Sequence, residues 1–489
     1  MSMSLKIWGS ALLSLRLIDN NAAVPYSESG NKLLKLMTAI SRHCLIVGPW
    51  LALSRSRKPA LGLTFVVFAM AAGIRLWAAP LSAGVDVPQF WAFARVFLDH
   101  GLDFYRYADA SLDTFPVPGW RFVYPPVWLL TLGLSLWASP GSSATNEAVS
   151  ISWRLAEKAP IMAADIIIGV LIYRTVRGSR WKKLLFSSIW LFNPAAWYQS
   201  SVFGQFDAIA AGLLLASVLA FERDKFKLAF ILAGLALMTK QYMLLPVVVI
   251  LAVYARDLGK RKAVSGSALL AGTAAVISVP FLVFGDVFSY AVSVFAPGQG
   301  FDYDNPLMYI FSGSKALSEY LRTTLGWDTV NYLALTLPLL AISVLIAAWT
   351  SYRKSVTFLN GALVGLLLFI ALSYQVNYQY IIAFIPLAVL AASRVKGWDR
   401  VLTLALGLMP AAWLWLFDTS IWFTSYEPSN RWVTPLLARV GLVRYVPDYY
   451  YVIFAVTLMV LCLAYALHIL ISAKPRGKDG PGLPNGPGM

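Results

Sequence analysis

The sequence predicts an all-α polytopic membrane protein: a bundle of about 12 transmembrane helices, with amphipathic helices in its first extracytoplasmic loop. Three observations carry this. Of 489 residues, 58% are hydrophobic and 13% charged, more apolar surface than a soluble chain of this length hides from water. Apolar runs of about 20 residues, the length that crosses a bilayer, recur along the chain. Lys and Arg gather in the short loops between those runs. The same loops explain the formal net charge of +16, so no nucleic-acid partner is expected. The two cysteines, Cys44 and Cys462, lie far apart in or beside apolar stretches and suggest neither a disulfide framework nor a metal site.

Residues 1–58 are mixed in character and end in the basic "RSRK". They read as a cytoplasmic extension without a cleavable signal peptide, with Leu34 to Leu53 as an interfacial helix. The first clear span is "LGLTFVVFAMAAGIRLWAA" (61–79). Arg55, Arg57 and Lys58 precede it, so it should run from the cytoplasm outward. Further apolar runs lie near 124–138, 154–173, 184–198, 206–221, 228–255, 265–284, 331–350, 357–374, 378–393, 401–417 and 449–472. The membrane-embedded region is therefore 59–473, with large extracytoplasmic loops at 81–123, 285–330 and 418–447. The tail 474–489, "KPRGKDGPGLPNGPGM" from Lys474, is Gly/Pro-rich and reads as a disordered cytoplasmic segment. The run 228–255 has two readings. As one crossing it leaves two basic clusters facing outward. As two short helices broken near Lys240 it brings those clusters inside, and 124–138 must then dip without crossing.

Polar residues at the outer edge carry the chemistry. Asp86 follows the first span and precedes "VPQFWAFARVF", where Phe90, Ala94 and Phe97 fall at helical spacing. Its carboxylate either caps that amphipathic helix or acts as a general base, and the two roles are compatible. Asp207, after Gln205 in "FGQFD", leads straight into an apolar helix. It is either a cap or a functional intramembrane carboxylate. Lys240 stands inside an apolar run and needs an anionic partner, either Asp207 or a phosphate. Gln375, Asn377 and Gln379 open another apolar run, lining a polar cavity or satisfying one another.

The order of motifs is an outer-loop acid with "GLDFYRY", then "YPP" from Tyr124, "NPAAWYQSSVFGQFD", the Lys240 helix and "NYQYIIAFIP". This order resembles the GT-C superfamily of membrane glycosyltransferases. It is most like those that use polyprenyl-phosphate-mannose or -glucose, including the family of the first mannosyltransferase of GPI-anchor synthesis. The resemblance spans roughly residues 60–390 and implies a GT-C-like catalytic domain in the membrane-embedded region. It also implies Asp86 as the base. Some members carry Asp-x-Asp where this chain has "DVPQ", so no metal is expected; "DYD" (302–304) has that spacing but reads as a solvated loop pair.

A sugar transferred outside the cytoplasm needs a lipid carrier, and a polyprenyl phosphate needs cations: Arg95, Arg106, Arg121, Lys240 and Arg322 are candidates. Tyr124, Gln205, Asp207, Asn377 and Gln379 complete the expected substrate-binding set. The expected activity is inverting transfer of a hexose, mannose first, to a lipid-linked or other glycan acceptor at the cell membrane, without a cofactor. The alternatives are a transporter or flippase for a lipid-linked sugar, which an internal repeat would favour, and a non-catalytic subunit of a glycosyl-transfer complex.

Overall fold

The computed structural model describes residues 57–84, 86–110, 115–116, 121–145, 148–295, 313–327, 335–416 and 448–475. The N-terminal extension up to residue 56, with Cys44 and the Leu34–Leu53 segment, lies outside the described residues. So do Asp302 and Asp304, the loop 418–447, and the tail from 476. The chain divides into two units, Met1–Gly62 and Leu63–Met489, and the helix bundle belongs to the second.

The described residues form helices and no strand; two isolated bridges join Ala144 to Val149 and Lys354 to Pro475. In order the α-helices of seven or more residues are α1 (Arg57–Ala78), α2 (Asp86–His100), α3 (Phe104–Ala110), α4 (Pro126–Trp137), α5 (Ile151–Thr175), α6 (Arg180–Leu191), α7 (Asp207–Phe221), α8 (Phe226–Leu237) and α9 (Leu244–Leu258). Then come α10 (Lys260–Phe284), α11 (Val287–Phe295), α12 (Ser314–Leu325), α13 (Thr336–Arg353), α14 (Phe358–Leu372), α15 (Ile385–Arg394), α16 (Gly397–Leu416) and α17 (Asp448–Ser472). Local chemistry sets several starts. Ser150, Ser179 and Thr357 cap α5, α6 and α14 by accepting from backbone amides one turn on. Pro126 opens α4, where its missing N–H costs nothing.

Among the described residues, five segments are long and apolar enough to span a bilayer: 62–81, 241–258, 260–284, 336–353 and 449–472. Other apolar helices, such as α8 with 12 residues, reach only about 18 Å. The expected count of about 12 crossings is therefore not established by helix length.

The run 228–255 is two antiparallel helices. Tyr254, near the end of α9, packs on Phe226 and Phe230 at the start of α8, with ring centroids 5.2 and 5.0 Å away. The chain therefore reverses at Lys240, whose extended backbone separates the two helices. Phe221 at the end of α7 stacks on Phe358 at the start of α14, so these ends converge with that of α9.

The basic clusters meet at this same end. Arg394 pairs with Glu222, and Lys182 Nζ donates to the Ser393 carbonyl at 2.9 Å. Arg256 Nη1 donates to the Ser351 carbonyl at 3.1 Å, and Lys354 Nζ to that of Leu470 at 2.8 Å. Asp86, Asp207 and Lys240 lie at the opposite end. Helix α4 leaves from and returns to that opposite end, since α2 touches both its flanks: Phe90 against Trp128, and Trp91 Nε1 donating to Ser142 Oγ at 3.3 Å.

Candidate active site

Asp86 is presented by a short connection tied down from three sides. From α5, Arg154 Nη1 donates to the Pro80 carbonyl at 2.8 Å. Lys158 Nζ donates to the carbonyls of Ala79 (3.1 Å), Ser82 (2.6 Å) and Val202 (2.9 Å). The Gly84 amide donates to the Phe203 carbonyl at 3.2 Å, an approach that a Cβ would block, since it would lie 2.4 Å from that oxygen. Helix α2 is more deeply seated than a surface amphipathic helix, with Asp86 through Phe90 all buried.

The opposing wall is a single π-helical turn, Tyr198–Phe203, closed by Gly204 at φ +82°. That left-handed step strongly favours glycine. A Cβ there would also meet Val87 Cγ2 at 2.8 Å and Glu157 Oε2 at 2.9 Å. The turn delivers Gln205 to Asp86 and starts α7 at Asp207. Gln205 Nε2 donates to Asp86 Oδ2, while Asp86 Oδ1 is buried without a partner. The carboxylate therefore turns toward Gln205, not toward its own helix as a cap would. Burial pushes Asp86 up to about 7; Lys240 and the Gln205 hydrogen bond oppose the rise, and Asp207 adds to it. The group is thus poised to exchange a proton near neutral pH.

Beside this pair, Lys240 Nζ lies 3.2 Å from Asp207 Oδ2, both side chains 1% exposed. Tyr242 Oη donates to Asp207 Oδ1 at 2.8 Å. The ammonium sits over the rings of Phe206, Tyr124 and Tyr380, at 3.9, 4.5 and 5.2 Å from their centroids. Its protein partner is therefore Asp207, yet none of its hydrogens finds an acceptor in line.

The structure thus gathers Asp86, Gln205, Asp207, Lys240 and Tyr124. Gln379 is buried, and Asn377 accepts from Gln375 Nε2 at 3.0 Å. The arginines stand apart from this buried cluster. Arg95 is 54% exposed and 3.9 Å from Asp99, Arg106 and Arg121 are exposed, and Arg322 pairs with Glu319 one turn away on α12. A long guanidinium at a membrane edge is cheaper solvated than buried.

Sequence reasoning misses three residues: Arg154, Glu157 and Lys158 are buried at the start of α5, where the sequence reads as one more apolar run. The available signal is "RLAEKAP" itself, since three charges within five residues at the head of a span are expensive unless used. Among the described residues no group of His, Cys, Asp and Glu has the makings of a metal site.

Comparison with known proteins adds the family. A solved structure, ArnT from Cupriavidus metallidurans bound to undecaprenyl phosphate, is similar at 17% identity and a TM-score of 0.41, over 84% of this chain and 77% of that one. No curated protein sequence matches the chain. The glycosyltransferase family 87 model matches residues 122–373, just over half of the chain, which takes in Glu157, Gln205, Asp207 and Lys240. The chain belongs to glycosyltransferase family 87, and it is a multi-pass membrane glycosyltransferase.

Proposed function

We propose that this protein transfers a hexose, mannose first, from a polyprenyl phosphate to a hydroxyl of a lipid-linked or other glycan acceptor on the extracytoplasmic side of the membrane. The observation that carries the reading is a half-satisfied carboxylate, Asp86, buried in one cluster with Lys240, whose ammonium is held 3.2 Å from Asp207. The sidedness follows from the convergence of the basic clusters at the other end of the bundle, which the positive-inside rule assigns to the cytoplasm. Nucleotide sugars are cytoplasmic, so a site on the far side calls for a lipid-borne donor.

Asp86 takes the proton of the acceptor hydroxyl as its oxygen bonds to the anomeric carbon. The bond from that carbon to the phosphate oxygen breaks, and the phosphate leaves with the electron pair. Lys240 offers that phosphate its unused N–H donors, with Asp207 and the aromatic rings fixing the ammonium in place. Attack opposite the leaving group inverts the anomeric centre. A phosphate leaves without an acid, so one base suffices.

The test is transfer by purified protein from synthetic polyprenyl-phosphate-mannose and, separately, polyprenyl-phosphate-glucose into a cell lipid extract. A labelled product from one of them is expected. Transfer from a nucleotide sugar, with none from either lipid donor, would overturn the reading.

A further inference from the structure

Glu157 has no part in the transfer step itself. It is fully buried, and neither of its carboxylate oxygens has a hydrogen-bond partner. The neighbouring lysine does not supply one: the three donors of Lys158 match its three backbone carbonyl partners. Glu157 lies under the first turn of α2. Its Oε2 and Val87 Cγ2 both approach within 3.0 Å of the position a Cβ on Gly204 would take. The next residue is Gln205, whose Nε2 is committed to Asp86 and whose Oε1 is buried without a partner. Asp86 Oδ1 is a further unpaired acceptor.

Four acceptor oxygens of Glu157, Gln205 and Asp86 are thus buried without a donor, the two of Glu157 directly against Gly204, and burying unpaired acceptors is costly. One proton on Glu157 turns an acceptor into a donor. The charged groups facing Glu157 are Asp86 from α2 and Lys158 on its own helix; Asp86 is in turn faced by Lys240 and Asp207.

We propose that Glu157 is a positioning residue for Asp86: a neutral carboxylic acid whose O–H donates to Gln205 Oε1, so that the Gln205 amide stays aimed at the base. The inference rests on the reading of Asp86 as the base. A chain of donors running from Glu157 through Gln205 to Asp86 explains three features together. These are the bare Cα of Gly204, the orientation of the Gln205 amide and the burial of a carboxyl group that no cation hydrogen-bonds.

The test compares Glu157→Gln, Glu157→Leu and Asp86→Asn in the transfer assay, with melting temperatures as a folding control. Glu157→Gln replaces O–H by N–H and should keep turnover within about threefold of wild type. Glu157→Leu should lower kcat by about tenfold or more, shift its acid limb and leave the donor KM unchanged. A fall in Glu157→Gln matching that of Glu157→Leu would mean that the ionised group is needed, and the proposal fails. Wild-type turnover and an unshifted limb in Glu157→Leu also end it, and leave the reading of Asp86 intact if Asp86→Asn is inactive. Retained turnover in Asp86→Asn overturns that reading instead.

Discussion

The two ends of this helix bundle treat charge in opposite ways. At the basic end, Arg394 and Glu222 form an ion pair with side chains 37% and 22% exposed. Lys182, Arg256 and Lys354 are spent on carbonyls at helix ends, where cations complement the backbone dipole. At the other end, Asp86, Asp207, Lys240 and Glu157 are buried, and several of their polar atoms lack partners. Solvated pairs of the first kind are worth about 0–1 kcal/mol. Removing one member of a buried pair costs about 3–5 kcal/mol. On the proposed sidedness, the basic end therefore orients the protein at little expense. The other end holds buried groups whose polar atoms lack partners, the environment that the proposed base and phosphate-binding roles call for.

The sharpest way to break this comparison is to ask which end faces which compartment. With Cys44 and Cys462 replaced, a cysteine at the exposed Asp99 should react with an impermeant thiol reagent on intact cells. One at Asp224 should react only after permeabilisation. The reverse pattern would put the site in the cytoplasm and remove the need for a lipid donor.

The next largest effect is on turnover. Asp86→Asn keeps the size of the side chain and removes the base, so kcat should fall by about two to four powers of ten with little change in melting temperature. Gly204→Ala sharpens the comparison through packing. The new methyl meets Val87 and Glu157 on a left-handed backbone step, and should cost about 1–3 kcal/mol in reversible unfolding in detergent. It should also slow transfer, because the displaced atoms lie under Asp86. The smallest effect belongs to the basic end: Arg394→Ala should change stability by about 0–1 kcal/mol and leave transfer untouched. A large loss of activity in Arg394→Ala would mean that the two ends are not independent.

Much of the site was legible because a polar residue in an apolar run stands out against its neighbours. Asp86, Gln205, Asp207 and Lys240 were each visible in this way, and the structure brings them together. Partners were harder to read. Whether Lys240 answers Asp207 or a phosphate turns on a chain reversal that hydropathy does not report, since 228–255 is uniformly apolar on both sides of it. Tyr254 against Phe226 and Phe230 settles that reversal through contacts no periodicity encodes. The arginines are hard to read for a related reason. A basic residue near a membrane edge reads the same whether it binds a phosphate or snorkels to water, and Arg95, Arg106 and Arg121 remain exposed. Glu157 was hidden by averaging, because the fifteen residues of α5 that follow "RLAEKAP" outweigh its charges.

The central claim is that a buried Asp86, held near neutrality by its surroundings, is the base. The dependence of kcat/KM on pH in the wild-type protein tests it most directly. Asp86 must be ionised to accept a proton, so activity should rise with pH along an acid limb centred at about 7. The limb should vanish from whatever activity remains in Asp86→Asn. A wild-type limb in the ordinary carboxylate range near 4, or one that persists unchanged in Asp86→Asn, would contradict the account.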